Sequence, residues 1–117
     1  MDRIPLVDLK KQYESIKLEI LAAIDEVFRA GVFIQGPPVR DFETAFAQKL
    51  GAAHGIGVAN GTAALSLALE ALGIGRGDEV ITVSHTFIAT AEAICHVGAT
   101  PVFVDINQGD YCMDPGA

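Results

Sequence analysis

The residues best suited to chemistry lie at the start of a predicted helix, in the sequence Asn60-Gly61-Thr62-Ala63. Gly61 lets the backbone turn sharply and approach a ligand closely. Thr62 is expected at the N-cap or the first helical position, so its hydroxyl lies beside amide N–H groups that have no acceptor inside the helix. The positive end of the helix dipole points to the same place, so the turn is able to bind a phosphate. The alternative is an ordinary strand-to-helix turn with a capping threonine, which the local sequence alone favours.

A second group of candidates, Ser84-His85-Thr86-Phe87, follows the next predicted strand. Ligands of open α/β sheets bind beyond the carboxyl ends of strands, and Thr62 follows the same end of its own predicted strand. Phe87 is therefore able to cover a flat ring whose phosphate lies at Thr62, although a core position is the commoner role of phenylalanine. His85 is either a stacking or acid–base residue or an ordinary loop histidine.

Other polar and glycine positions give weaker signals. Asp105 ends a third predicted strand and is expected to cap the turn that follows it. A dinucleotide-binding fingerprint is disfavoured because Gly57 falls inside a predicted strand and Asn60 stands where the third glycine belongs. No metal site is expected, since the histidines lack the spacing of metal ligands: His54, His85 and His96.

The elements that must position these residues form a helical part followed by an alternating part. Apolar residues at three- and four-residue steps predict helices over 5–30, capped by Asp8 and ended by Gly31, and over 39–50. The connecting loop is apolar, so we expect it to pack against other residues. After it, strands and helices alternate, which predicts βαβ units and a mainly parallel sheet: strands 55–59, 79–83 and 102–106, and helices 62–72 and 86–97. A parallel sheet with bare edges is unusual, so we expect an incomplete chain.

Composition limits the class of protein. A chain of 117 residues with 50% hydrophobic and 20% charged residues is expected to fold as one small globular domain with its own core. The formal charge of -7 argues against a nucleic-acid binder but not against a phosphorylated cofactor, which backbone amides can hold. Neither a signal peptide nor a membrane helix is predicted, so the expected location is the cytoplasm. Cys95 is expected in a helix core and Cys112 at the surface.

Six segments, in order and in register, resemble the DegT/DnrJ/EryC1/StrS family of pyridoxal 5′-phosphate (PLP) dependent aminotransferases, which act on nucleotide-linked keto sugars. They are IPLVDL (4–9), FIQGP (33–37), NGTAAL (60–65), GDEVIT (77–82), TFIATAEAI (86–94) and GATPVFVDI (98–106). The resemblance implies the α/β fold of type I PLP-dependent transferases, with an aspartate aminotransferase-like large domain truncated after about three strands. It also implies a homodimer, with 1–35 as an N-terminal helical arm and loop and 36–117 as the first part of the large domain.

The resemblance also assigns roles to residues. It implies that Gly61, Thr62 and the Ala63 N–H hold the PLP phosphate, that Phe87 stacks on the pyridine ring, and that His85 lies near this stack. Gln35 would approach the nucleotide-sugar substrate. The amino donor would be glutamate, and the product an amino sugar.

The catalytic residues of the family have no counterpart in this sequence. The Schiff-base lysine and the aspartate at the pyridine nitrogen would lie beyond Ala117, and no lysine present matches the motif: Lys10, Lys11, Lys17 and Lys49. We therefore predict that the 117-residue chain alone has no transaminase activity. The alternative is a non-catalytic short chain of the same fold that dimerises or complements a partner.

Overall fold

The computed structural model describes residues 4–117, so the first three residues of the predicted arm lie outside the described range. The chain divides into two compact units, Met1–Ile56 and Gly57–Ala117. The functional division predicted after residue 35 stays a prediction.

The first unit contains two helices, α1 (Leu9–Ala30) and α2 (Pro37–Leu50). Helix α1 begins as predicted, because the Asp8 carboxylate accepts a hydrogen bond from the Lys11 N–H at 2.9 Å. It ends at Gly31, whose φ of 66° lies in the left-handed region that glycine adopts without strain. Helix α2 starts two residues before the predicted position because proline, with its fixed φ and missing N–H, suits the first turn of a helix.

The predicted packing of the apolar loop between α1 and α2 is only partly formed, because Phe33 contacts α1 while Val32, Phe33 and Ile34 stay 45%, 63% and 84% exposed. The rings of Phe28 and Phe33 meet edge to face with their centroids 5.4 Å apart. A cavity of about 290 Å³ lies beside them, lined by apolar side chains only: Ala23, Ile24, Val27, Phe28 and Phe33.

The second unit is built from α3 (Gly61–Ala71), β1 (Glu79–Val83), α4 (Ala89–His96) and β2 (Thr100–Val104). The two strands pair in parallel, with Glu79 opposite Thr100 and Val83 opposite Val104. Helix α4 connects them and packs on both strands and on α3. This arrangement confirms the predicted βαβ unit, and it directs the loops after β1 and β2 to the same edge of the sheet.

The strand predicted over 55–59 is wrong. The sheet formed within residues 4–117 has two strands, and 55–59 has no regular secondary structure and does not join it. Gly55 instead lies against α2, where a Cβ atom would come within 2.5 Å of the Glu43 carbonyl oxygen. A strand requires a ladder of hydrogen bonds to a neighbour, and a short apolar run carries no information about whether that neighbour is present.

The expected single domain with its own core is not formed, because the chain divides into two compact units and the core of residues 4–117 is small. The buried apolar residues of the described chain are almost all alanines: Ala47, Ala89, Ala93, Ile94 and Ala99. Leucines of α3 line an open apolar cavity of about 190 Å³ that is shared with β1 and α4. Cys95 is exposed, contrary to prediction, because the side of α4 that packs inward carries Ala89, Ala93 and Ile94. Cys112 is exposed as predicted.

Among the helices of residues 4–117, none combines the length and the hydropathy of a membrane span.

Candidate cofactor site

The N-terminus of α3 is formed by Asn60, and this corrects the predicted position of Thr62. Asn60 has extended backbone angles, and its side-chain Oδ1 accepts a hydrogen bond from the Ala63 N–H at 2.9 Å. Asn60 is therefore the N-cap, and Thr62 is the second residue of the helix. The Ala63 N–H, predicted to face a phosphate, already has an intramolecular acceptor.

The space and the donors at Gly61 suit an anion. A Cβ atom built at Gly61 would meet no atom within 4 Å outside the two neighbouring residues and the backbone of its own helix, so no other part of the described chain fills this position. Within that same part, no protein group accepts a hydrogen bond from the amides of Gly61 and Thr62. Two backbone donors and the positive end of the helix dipole thus lie together at the start of α3, and the residue with the second donor, Thr62, also carries a hydroxyl.

Removal of the Asn60 cap should cost stability. We expect Asn60→Ala to lower the free energy of unfolding by about 1 kcal/mol, because the Ala63 N–H loses its acceptor. Asn60→Asp keeps an acceptor oxygen and should retain most of this stability. Denaturant titration of the two variants measures the difference, and equal losses in both would contradict the capping role.

The second group of candidates lies in the loop between β1 and α4. Phe87 is 77% exposed, so it is not a core residue, and its ring is accessible to a ligand. The His85 ring lies beside the Tyr111 ring, with centroids 5.8 Å apart and planes inclined by 35°. Asp105, after β2, accepts a hydrogen bond from the Ile106 N–H at 2.8 Å, which confirms its predicted role in the turn.

The two groups of candidate residues, at the start of α3 and before α4, lie near the same apolar cavity, the one of about 190 Å³. Leu65 of α3 and Thr90 of α4 both line it. Thr62 precedes Leu65 by one helical turn, and the Phe87 carbonyl accepts a hydrogen bond from the Thr90 N–H at 3.0 Å. The phosphate donors and the candidate stacking ring therefore each lie about one turn from a wall of the same cavity.

The remaining predicted residues lie in the first unit. Gln35 is an exposed loop residue whose φ of 48° is unusual for a residue other than glycine. Its role at the substrate stays a prediction. The four lysines lie on α1 and α2: Lys10, Lys11, Lys17 and Lys49.

Sequence reasoning missed Tyr111, which lies in the turn after β2 and is not among the candidates that the residue pattern indicates. Its φ of 60° and its ring contact with His85 were not visible in the residue pattern. The available signal was an aromatic residue in an otherwise polar turn. Across residues 4–117, no group of three or more His, Cys, Asp or Glu side chains is arranged to hold a metal ion.

These features fit PLP. Its phosphate suits the two amides and the hydroxyl at the start of α3. Its flat ring suits an exposed aromatic side chain. The open position at Gly61 allows the phosphate to approach the backbone.

Comparison with known proteins gives consistent results. The family model described as the DegT/DnrJ/EryC1/StrS aminotransferase family matches residues 14–117. A relative from Acidithiobacillus ferrooxidans, a UDP-N-acetyl-3-dehydro-alpha-D-glucosamine 3-aminotransferase, is 51% identical over 94% of this chain and 30% of its own length. The chain thus spans about a third of the length of this relative.

Two solved structures share the fold at high similarity. Streptomyces venezuelae DesV, in complex with a ketimine intermediate, has a TM-score of 0.94 and 44% identity over 98% of this chain and 31% of its own. Bacillus subtilis NtdA, with bound cofactor PMP, has a TM-score of 0.93 and 32% identity over 99% of this chain and 27% of its own. These similarities confirm the predicted α/β fold of PLP-dependent transferases.

Proposed function

The chain belongs to the DegT/DnrJ/EryC1/StrS aminotransferase family, and we propose that it carries the phosphate- and ring-binding side of a PLP site in an enzyme that aminates a nucleotide-linked keto sugar. The observation that supports this most directly is the start of α3, where free amides and a hydroxyl adjoin an open space at Gly61. The relative from Acidithiobacillus ferrooxidans is named for amination of such a sugar. Glutamate is the proposed amino donor.

Within this proposal each residue has one physical task. The amides of Gly61 and Thr62 and the Thr62 hydroxyl donate hydrogen bonds to the phosphate, which fixes one end of the cofactor. Phe87 covers the ring and excludes water from one face. When bound, PLP supplies the electron sink for removal of a proton next to nitrogen. Asn60 holds the Ala63 N–H, so the first turn of α3 keeps its shape as the phosphate arrives.

The Thr62 hydroxyl provides the test of this proposal. We expect Thr62→Val, which keeps the shape and loses the hydroxyl, to weaken PLP binding by about 10- to 150-fold, because a hydrogen bond to a charged group contributes about 1.5–3 kcal/mol. Binding is measured by equilibrium dialysis against PLP and, in parallel, against pyridoxal, which lacks the phosphate. The affinity for pyridoxal should be the same in Thr62→Val and in the wild type, because pyridoxal has no phosphate for the hydroxyl to bind.

Thr44→Val is the matched control, because Thr44 lies on α2 and its hydroxyl donates to the Arg40 carbonyl at 2.8 Å. It should leave PLP binding unaltered. Equal affinity of the wild type for PLP and for pyridoxal would contradict a phosphate site on this chain.

The proposed homodimer accords with the surface of α1. Large apolar side chains along the helix are exposed: Leu9, Tyr13, Ile16, Leu21, Ile24 and Phe28. Apolar surfaces of this extent mark contacts with other protein chains. The cytoplasmic location remains a prediction.

A further inference from the structure

The loop that carries Phe87 has few contacts of its own. All residues from 84 to 88 are exposed. Inside the loop, the Thr86 N–H donates to the Ser84 carbonyl at 2.9 Å, and the Thr86 hydroxyl lies 3.0 Å from that of Thr90. Helix α4 begins at Ala89, and its N-cap residue, Ile88, provides no side-chain hydrogen bond to the first turn. A ring that must cover a cofactor therefore depends on contacts from outside its own loop.

The turn after β2 is, in contrast, fixed by many hydrogen bonds. The Asn107 N–H donates to the Cys112 carbonyl at 2.8 Å, and the Tyr111 N–H donates to the Asn107 carbonyl at 2.9 Å. Side chains add to this, because the Gly109 N–H donates to Asn107 Oδ1 and the Cys112 N–H donates to Asp110 Oδ1. An antiparallel bridge between Ile106 and Met113 closes the base of the turn.

Tyr111 lies in this turn with a φ of 60°, a backbone conformation that tyrosine rarely adopts. Such a conformation persists only where its surroundings determine it. The hydrogen bonds of the turn do so for the backbone, and the Tyr111 ring, which is 65% exposed, lies with its centroid 5.8 Å from that of His85. Because Val83 pairs with Val104, the two loops leave the sheet at the same edge, and His85 is two residues from Phe87.

We propose that Tyr111 is a positioning residue: its ring holds His85 and thereby orders the loop that presents Phe87. This proposal deepens the proposed function and rests on it for the role of Phe87. It also gives His85 a different task from contact with the cofactor, since its ring contacts Tyr111.

The test uses the ¹⁵N-labelled chain without any cofactor, so that it is decided independently of PLP binding. Tyr111→Gly removes the ring and suits the positive φ, so the turn should keep its fold. We expect the ring protons of His85 to shift toward solvent values. The amide order parameters of 85–87 should fall from about 0.85 toward 0.6 or below.

Three further variants make the result specific. Tyr111→Phe keeps the ring and should match the wild type, whereas His85→Ala should reproduce the loss of order. Tyr13→Leu removes the other tyrosine, on α1, and should change nothing in the loop. Unchanged His85 shifts and unchanged loop order in Tyr111→Gly would overturn the proposal. Absence of PLP binding in the wild type would instead overturn the proposed function alone.

Discussion

Replacement of Gly61 by alanine should weaken PLP binding by roughly 5- to 150-fold without destabilising the chain. Apart from the neighbouring residues and the backbone of its own helix, the added methyl group meets no protein atom within 4 Å, so the fold has room for it. Gly61 is the first residue of α3, where alanine should stabilise by about 0.4–1 kcal/mol because it restricts the unfolded chain. The same methyl group takes the space through which a phosphate reaches the two amides. Overpacking of this kind costs about 1–3 kcal/mol, or roughly 5- to 150-fold in affinity.

Gly61→Ala is informative because it should raise the stability of the chain while it lowers the affinity for PLP. Thermal unfolding measures the stability, and equilibrium dialysis with PLP and with pyridoxal measures the affinity for each. Gly75→Ala is a suitable control, because the added Cβ would make only an ordinary contact of 3.4 Å with the Val97 carbonyl. Unaltered PLP affinity in Gly61→Ala would show that no phosphate approaches this backbone.

The helices and their ends were largely predictable from sequence because their determinants are local. Asp8 caps α1 through a residue three positions away, and Gly31 and Gly51 end their helices in left-handed conformations. The alternation of β-branched runs with helices likewise predicted the β1–α4–β2 unit. All of these signals lie within a few residues of the element that they define.

The extent of the core and the conformation of 55–59 could not be predicted, because both depend on which other residues cover an apolar face or pair with a strand. An apolar pattern indicates that a face will be covered, but not by which residues. Leu65 and Leu67 of α3 are 44% and 50% exposed in this chain, although the sequence of α3 is typical of a buried helix. The 55–59 run has the composition of a strand, but a strand forms only where a neighbour pairs with it.

The functional roles of the candidate site residues stay predictions, and the contacts between these residues could not be predicted from sequence. Gly61 and Phe87 have the open and exposed environments that their roles require. The pattern could not show that Asn60 rather than Thr62 caps α3, since both residue types are favoured caps. The contact of His85 with Tyr111 joins residues far apart in sequence, and it depends on the conformation of a turn.

We also expect that this chain alone forms no specific Schiff base with PLP and has no transaminase activity. Aminotransfer with PLP requires a lysine amine beside the cofactor. The four lysines all belong to the Met1–Ile56 unit, on α1 and α2, whereas Gly61, Thr62 and Phe87 belong to the Gly57–Ala117 unit. Lys17 is already engaged on its own helix, 3.9 Å from a Glu14 carboxylate oxygen and over the ring of Tyr13.

Borohydride reduction of the chain mixed with PLP gives the measurement. We expect low labelling distributed over the exposed lysines by ordinary amine–aldehyde condensation, identified by peptide mapping. Neither Gly61→Ala nor excess inorganic phosphate should change this labelling, because it does not depend on the phosphate site. Glutamate added to the chain and PLP should produce no catalysed transamination. Stoichiometric labelling of one lysine that is lost in Gly61→Ala would instead show that this chain contains its own Schiff-base residue, and the prediction of an inactive chain would be wrong.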